Sequence, residues 1–346
     1  MRIIQVIAAK GYGGAEKHTL MLSKGLIKAG HELICVVPIG SWIEKECLAM
    51  DLPVKAIRFC GNYDLFAVLS LRRLITKWHA DIVHGQLTRG SRYANLAAMG
   101  TRAIPVNTCH ATSSHKHMRG CRKIIAVSQA VATNLVTHHY RSADIRVIYN
   151  GVPIVETADR KTVREELGIR TAEFAVVCVG RFVSDKGQKC LIEIIDALDD
   201  TIHLYFVGDD ATDYGRQMRR LAADNPRIHF LGYRSDVTRL LSAFDLCAAP
   251  SRREALSIAL IEASQAGLPA VATRVGGIPE VVTDDESGIL VTRDHHGELT
   301  EALHCLARDP ELRGKFGSQA YQNYLRKFTL DQMVTATVEV YADLLA

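Results

Sequence analysis

Short β-branched runs separated by amphipathic stretches recur along this chain, and the pattern restarts near its middle. Chains patterned this way fold as parallel sheets wrapped by helices. In the first half the runs read as strands at residues 3–8, 33–37, 81–84, 105–109, 124–127 and 146–148. The first helix reads as 16–29 and stops at Gly30, where a glycine can take the left-handed conformation that ends a helix. A polar stretch, 155–170, precedes strands at 174–179, 203–207, 227–231, 246–249 and 269–272, with helices near 188–198, 214–224, 237–242 and 256–265. A last helix, 330–345, is a candidate to pack back on the first domain. At roughly 100–200 residues per domain, 346 residues predict two domains, drawn here as 1–155 plus 330–346 and 156–329. Both open with an apolar strand running into a glycine-bearing basic turn. Two doubly wound α/β domains facing across a cleft are expected, with ligands outside the carboxyl ends of the strands.

Composition excludes several classes. With 48% hydrophobic and 23% charged residues and only 9 Pro, the chain is neither disordered nor fibrous. No apolar run approaches the ~20 residues of a membrane-spanning helix. Met1-Arg2 leads straight into a strand-like run and a polar glycine turn, unlike a signal peptide, and the nine cysteines contain no Cys-x-x-Cys. Buried reduced thiols in a cytoplasmic protein are the expectation. Residues 1–150 hold 20 Lys+Arg against 8 Asp+Glu, and the remainder 22 against 30, so the halves carry +12 and −8. Such asymmetry suits a domain facing an anionic surface or substrate, or two domains that dock by opposite charge.

Three groups of residues suggest chemistry. Gly11-Tyr12-Gly13-Gly14-Ala15-Glu16 follows the first strand and opens the first helix, where bare amides and the helix dipole favour an anion. Glu16 stands where a dinucleotide fingerprint needs its last glycine, which argues against a nicotinamide or flavin enzyme. Gly180-Arg181 and Lys186-Gly187 place two cations on the loop after the second domain's first strand, a set suited to a diphosphate or, failing a ligand, two surface charges. Glu254 and Glu262, eight residues apart, would differ by about 80° on one helix. Both reach one ligand if Glu254 lies in a loop and Glu262 on a helix, where ribose hydroxyls or a nearby Arg would partner the buried acid.

Together these features resemble the Glu-x7-Glu signature of the retaining family 4 glycosyltransferases, which have the two-Rossmann GT-B fold. The resemblance extends to Asn150-Gly151-Val152, Phe206-Val207-Gly208, Phe230-Leu231-Gly232, Gly267-Leu268-Pro269-Ala270-Val271-Ala272 and Gly276-Gly277-Ile278-Pro279-Glu280. It implies transfer of a sugar from a nucleotide diphosphate donor to an acceptor with retention of anomeric configuration. Arg181 and Lys186 would hold the diphosphate and offset charge on the leaving group. Glu262 would take the ribose hydroxyls, and Glu254 the donor sugar's hydroxyls, helped by amides around Leu256 and Ser257. Gly180 and Tyr233 complete the donor site. Gly13 and Gly14 would let backbone approach phosphate and acceptor, and His110 matches the family's histidine near the donor sugar.

No Asp-x-Asp is present, so a metal-independent reaction without cofactor is expected. No residue stands out as a nucleophile for double displacement, which favours departure and attack on one face, the leaving phosphate taking the acceptor's proton. Ala255-Leu256-Ser257 replaces the family's usual Gly or Ser, Phe and Gly, a departure that falls in the donor sugar's pocket.

His115-x-His117 and His138-His139 lack a carboxylate or cysteine at metal-ligand spacing. His115, Lys116, His117, Arg119, Arg122 and Lys123 read instead as a basic loop. Residues 64–78 interleave an apolar stripe with Arg72, Arg73 and Lys77. Such a helix packs on its own sheet or lies on an anionic membrane. The expected protein is a cytoplasmic or peripheral glycosyltransferase acting on a glycolipid or envelope polysaccharide, such as a lipopolysaccharide core, with no nucleic-acid partner. Its expected donor is a UDP-linked hexose or N-acetylhexosamine. GDP-mannose is the rival donor, and a nucleotide-sugar epimerase, a dinucleotide oxidoreductase and a non-catalytic membrane binder are the rival functions.

Overall fold

The computed structural model describes residues 1–346 apart from Asn62 and Thr157, and for His117 the main chain alone. A ligand or basic role for the His117 side chain therefore lies outside the described residues. The chain divides into two compact units, Met1–Pro153 with Phe328–Ala346, and Ile154–Lys327.

Among the described residues the first unit holds seven strands: β1 (Arg2–Ile7), β2 (Glu32–Pro38), β3 (Val54–Ile57), β4 (Ile82–Gln86), β5 (Ile104–Cys109), β6 (Lys123–Ala126) and β7 (Ile145–Val147). They form one parallel sheet in the order β3-β2-β1-β4-β5-β6-β7. Parallel strands buried on both faces need near-continuous apolar runs, and Ile3, Ile4, Val6 and Ile7 of β1 are all inaccessible to solvent. The last helix, Leu330–Leu345, packs on this unit: Met333, Val334, Val340 and Tyr341 share a core with Ile3, Leu22 and Leu26. It starts at a reciprocal capping box between Thr329 and Gln332.

The second unit holds β8 (Phe174–Val179), β9 (Ile202–Val207), β10 (Ile228–Phe230), β11 (Leu246–Ala249), β12 (Ala270–Thr273) and β13 (Gly288–Val291). They are all parallel, in the order β10-β9-β8-β11-β12-β13.

Strands β3 and β13 escape the sequence reading. Each is a four-residue edge strand, the first interrupted by Lys55 and the second led by Gly288. The polar stretch 155–170 contains a helix, Arg160–Leu167, capped by Asp159 accepting from the Thr162 N–H at 2.8 Å and ended by Gly168 at φ 69°. The helix expected over 256–265 begins two residues later, as Ile258–Gln265. The stripe at 64–78 forms the helix Leu65–Trp78. Its Ala67, Leu71 and Ile75 join the core of the first sheet, while Phe66 stays 85% and Leu65 66% exposed. All nine cysteines are free, but Cys60 and Cys305 are exposed rather than buried. No helix among the described residues is long and apolar enough to cross a membrane.

Candidate active site

In the second unit β8 lies between β9 and β11, so the chain leaves β8 toward one side of the sheet and leaves β11 toward the other. Ligands of open α/β sheets bind at this switch point. Both loops that leave it carry sequence-predicted residues: Gly180, Arg181 and Lys186 after β8, Glu254, Leu256 and Ser257 after β11.

The two loops are tied together. Gly187 is at φ +72°, and a Cβ there would stand 1.9 Å from the Pro250 carbonyl oxygen, so glycine lets the backbones touch. The Arg252 N–H donates to the Asp185 carbonyl at 2.7 Å, and the Arg253 guanidinium grips the Asp185 carboxylate at 2.8 Å. Lys186 makes an ion pair with Glu254, the side chains 22% and 13% exposed. Gln188 Nε2 donates to the Arg181 carbonyl at 2.9 Å and pins the start of the loop. The Arg181 side chain is exposed, and among the described residues it has no ion-pair partner.

Glu254 lies in the loop and Glu262 on the helix, the arrangement that lets both face one ligand. Ser257 caps that helix, its Oγ accepting from the Leu260 N–H at 3.3 Å, which leaves its O–H still able to donate. Among the described residues the N–H groups of Ala255, Leu256 and Ser257 donate to no protein group. Beside a lysine and at a helix start, such amides favour an anionic or hydroxylated ligand. Glu262 is 4% exposed and is engaged by another group. Tyr233 follows β10 and is 43% exposed, next to Gly232, whose carbonyl accepts from the Gly208 N–H at 2.9 Å.

Gly13, Gly14 and His110 belong to the first unit. Gly13 is an extended residue capping the helix Gly14–Lys28 without a side-chain bond, so that helix start carries no side chain over its amides. His110 directly follows β5, its Nε2 2.7 Å from Gln86 Oε1, and Gln86 Nε2 donates to Gln5 Oε1 at 2.7 Å. Since the Gln86 amide nitrogen is spent on Gln5, its oxygen must accept, which places the proton on His110 Nε2 and leaves Nδ1 as an acceptor. Burial, with the neighbouring His18 and His84, holds the His110 pKa well below the usual range, so the ring is neutral. His18 packs edge-on against it at 4.8 Å, and burial, opposed by Asn150, lowers its pKa to about 4. Gln5 and Gln86, both fully buried, are the residues the sequence reading missed. The signal was a lone amide inside the apolar run Arg2–Ile7 and another two positions past the expected end of β4.

His115 and His138 stack at 3.7 Å, and each Nδ1 lies on a main-chain carbonyl, of Thr112 at 3.1 Å and Asn134 at 2.8 Å.

Residues 12–156 match the family model for Glycosyltransferase Family 4, and residues 173–309 match that for Glycosyl transferases group 1, so the two matches take in both units. This chain is a family 4 glycosyltransferase. It is 25% identical over 306 residues to the N-acetyl-alpha-D-glucosaminyl L-malate synthase of Bacillus anthracis, covering 82% of this chain and 80% of that protein. It is 31% identical over 243 residues to the D-inositol 3-phosphate glycosyltransferase of Corynebacterium glutamicum, covering 64% of this chain and 58% of the relative, less than two thirds of its length. The crystal structure of HepE of Anabaena in complex with UDP-glucose superposes with a TM-score of 0.89 at 22% identity, over 99% of this chain and all of that one. At that identity the likeness speaks for the fold, which is GT-B. The family 4 glycosyltransferase thus carries its Glu-x7-Glu pair on the second unit's switch point.

Proposed function

We propose that this glycosyltransferase moves a hexose or N-acetylhexosamine from a UDP-sugar to a hydroxyl of an anionic glycolipid or envelope polysaccharide, with retention and without a catalytic metal. The observation that carries this reading is the Lys186–Glu254 pair on two docked loops, with the exposed Arg181 cation and the undonated amides of residues 255–257 beside it. Lys186 spends one of its three donors on Glu254, leaving two for diphosphate oxygens. Arg181 adds a planar fork. As the bond from the anomeric carbon to the phosphate oxygen breaks, negative charge grows on the β-phosphate, and these fixed cations stabilise it. The acceptor oxygen attacks the same face, and its proton passes to that phosphate oxygen. Glu254 holds donor-sugar hydroxyls, Glu262 the ribose, Tyr233 the base edge. The neutral His110 offers Nδ1 to a sugar hydroxyl, and Gly13 and Gly14 admit phosphate or acceptor to the first helix's start. The solved UDP-glucose complex of HepE supports a uridine donor.

The acceptor side is read from the first unit. It holds 20 Lys+Arg against 11 Asp+Glu, net +9, and exposes Tyr63, Leu65, Phe66 and Leu69 at one end of the helix Leu65–Trp78. Basic charge beside exposed aromatic and aliphatic groups suits an anionic lipid surface.

The test is thermal-shift titration in EDTA with UDP and GDP, followed by turnover assays. UDP should stabilise the wild type, and Lys186→Met should lose that shift and on the order of 10²–10³ in kcat. Stabilisation by GDP alone would replace UDP with the GDP-mannose reading. Full turnover in Glu254→Gln would remove Glu254 from its role.

A further inference from the structure

At the amino ends of β8–β10, away from the loops described above, three groups with metal-binding chemistry converge. His203 is the second residue of β9, and His229 lies in β10 opposite Tyr205. Residues i and i+2 of a strand share a face, so His203, Tyr205 and His229 project to one side, where Glu173 arrives just before β8. The ligand atoms of Glu173, His203 and His229 all lie within 4.8 Å of one another. His203 Nδ1 is 3.1 Å from His229 Nε2 and 3.8 Å from Glu173 Oε2.

We propose that Glu173, His203 and His229 form a site for a divalent transition metal of the zinc class, structural in role and separate from glycosyl transfer. Around a tetrahedral zinc, with bonds near 2.0–2.1 Å, neighbouring donors stand roughly 3.3 Å apart. The two imidazole nitrogens are already near that spacing, and the Glu173 oxygen, 3.8 Å from His203 Nδ1, needs only a small shift to join them. Two imidazoles and one carboxylate is a usual zinc donor set, with water in the fourth position. Metal ligands need outer partners to orient them, and they are present. The Tyr205 hydroxyl donates to Glu173 Oε2 at 2.7 Å and its ring stacks on His229 at 4.4 Å, while Arg170 holds Glu173 Oε1. Glu173 and His203 are buried and His229 is half-buried, which leaves an approach from solvent.

Without metal one ring must donate its single N–H to the other; with metal that proton moves to the far nitrogen of its ring. The ion would clamp the short edge strand β10 to β9 and to the entry of β8, and its benefit is stability.

The experiment uses the full chain without an affinity tag, stripped with EDTA and dialysed. Titration with cobalt(II) should give a visible d–d band saturating at one equivalent, displaced by zinc, and one equivalent of zinc should raise the unfolding midpoint by several degrees. His229→Gln keeps a polar, half-buried side chain at β10. It should fold with a circular-dichroism spectrum and metal-free midpoint close to wild type, yet bind cobalt on the order of 100-fold more weakly or worse and gain nothing from zinc. Glu173→Gln should repeat that loss. No band at one equivalent in the wild type, a band only in large metal excess, or undiminished binding by His229→Gln would overturn the site and leave a His–His–Glu hydrogen-bond cluster.

Discussion

At Gly276 the backbone φ is +53°, and a Cβ there would fall 1.7 Å from the Glu254 carbonyl oxygen, which also accepts from the Gly277 N–H at 3.2 Å. The position of the site's loop glutamate thus depends on a residue with no side chain. Gly276→Ala should combine a left-handed strain of ~1–2 kcal/mol with displacement of the Glu254 loop. The expected result is a folded protein with a modestly lowered midpoint, turnover reduced on the order of 10²-fold or more and donor affinity weakened, measured by calorimetric titration with UDP. Wild-type turnover would show that the loop tolerates the shift. How far such a site can be read from sequence differs from residue to residue. Helical arithmetic allowed Glu254 and Glu262 one ligand only with the first in a loop and the second on a helix, because eight residues do not close on one face, and the structure has that arrangement. The Gly276-Gly277 run was visible as a motif, but its contact with Glu254 spans 22 residues and exists only once β12 is in place. The chain Gln5–Gln86–His110 was equally illegible, since three strands of the sheet must pair before two amides 81 residues apart meet.

The helix Leu65–Trp78 shows what periodicity decides and what it leaves open. Its stripe predicted a buried face, and Ala67, Leu71 and Ile75 supply it. Period alone does not tell which apolar residues run past the edge of the core, and Phe66 and Leu69 do so at 85% and 43% exposure. The helix start is secure without them, since Asp64 caps the Phe66 and Ala67 amides at 3.0 and 3.2 Å. Replacing both Phe66 and Leu69 with Ser should therefore change stability by only about 0.5 kcal/mol or less. If this end seats on an anionic bilayer, the double variant loses apolar burial worth ~1.5–3 kcal/mol per side chain, and vesicle affinity should fall at least tenfold in a sedimentation assay. Raised salt should weaken the wild type too. Equal binding by variant and wild type would remove the helix from the contact. Strands were legible where they were long and apolar, as at Phe174–Val179, and lost at two edges, Val54–Ile57 and Gly288–Val291.

Across the whole molecule, the returning C-terminal segment alters the sequence-level account of charge. Residues 328–346 carry three acids and no Lys or Arg, so the first unit is +9 rather than the +12 of residues 1–150, and the second −5. The same segment ties into buried histidine chemistry: Tyr341 hydroxyl lies 2.5 Å from His84 Nδ1, and Thr108 Oγ1 2.6 Å from its Nε2. Burial pushes the His84 pKa down to about 3, with His18 adding repulsion, and that of His18 itself to about 4. Both lie below the unfolded value near 6.5, so between those limits the unfolded chain binds protons that the folded unit refuses. Stability contributed by these neutral rings is complete above pH 6.5 and is lost as pH falls toward their folded values, at about 2 kcal/mol each by pH 5. The histidines of the second unit that shift in the same direction, His203 and His229, have the Glu173 carboxylate opposing the shift, so that unit should lose less. The two tryptophans, Trp42 and Trp78, both lie in the first unit, which makes their fluorescence a reporter of it alone. In urea titrations at pH 7.5 and pH 5, the fluorescence midpoint should therefore drop further than the circular-dichroism midpoint, which averages both units. His84→Gln, which keeps polar contacts without a titrating ring, should reduce that difference. Midpoints falling in parallel, unchanged by the substitution, would mean that the acid sensitivity resides elsewhere in the chain.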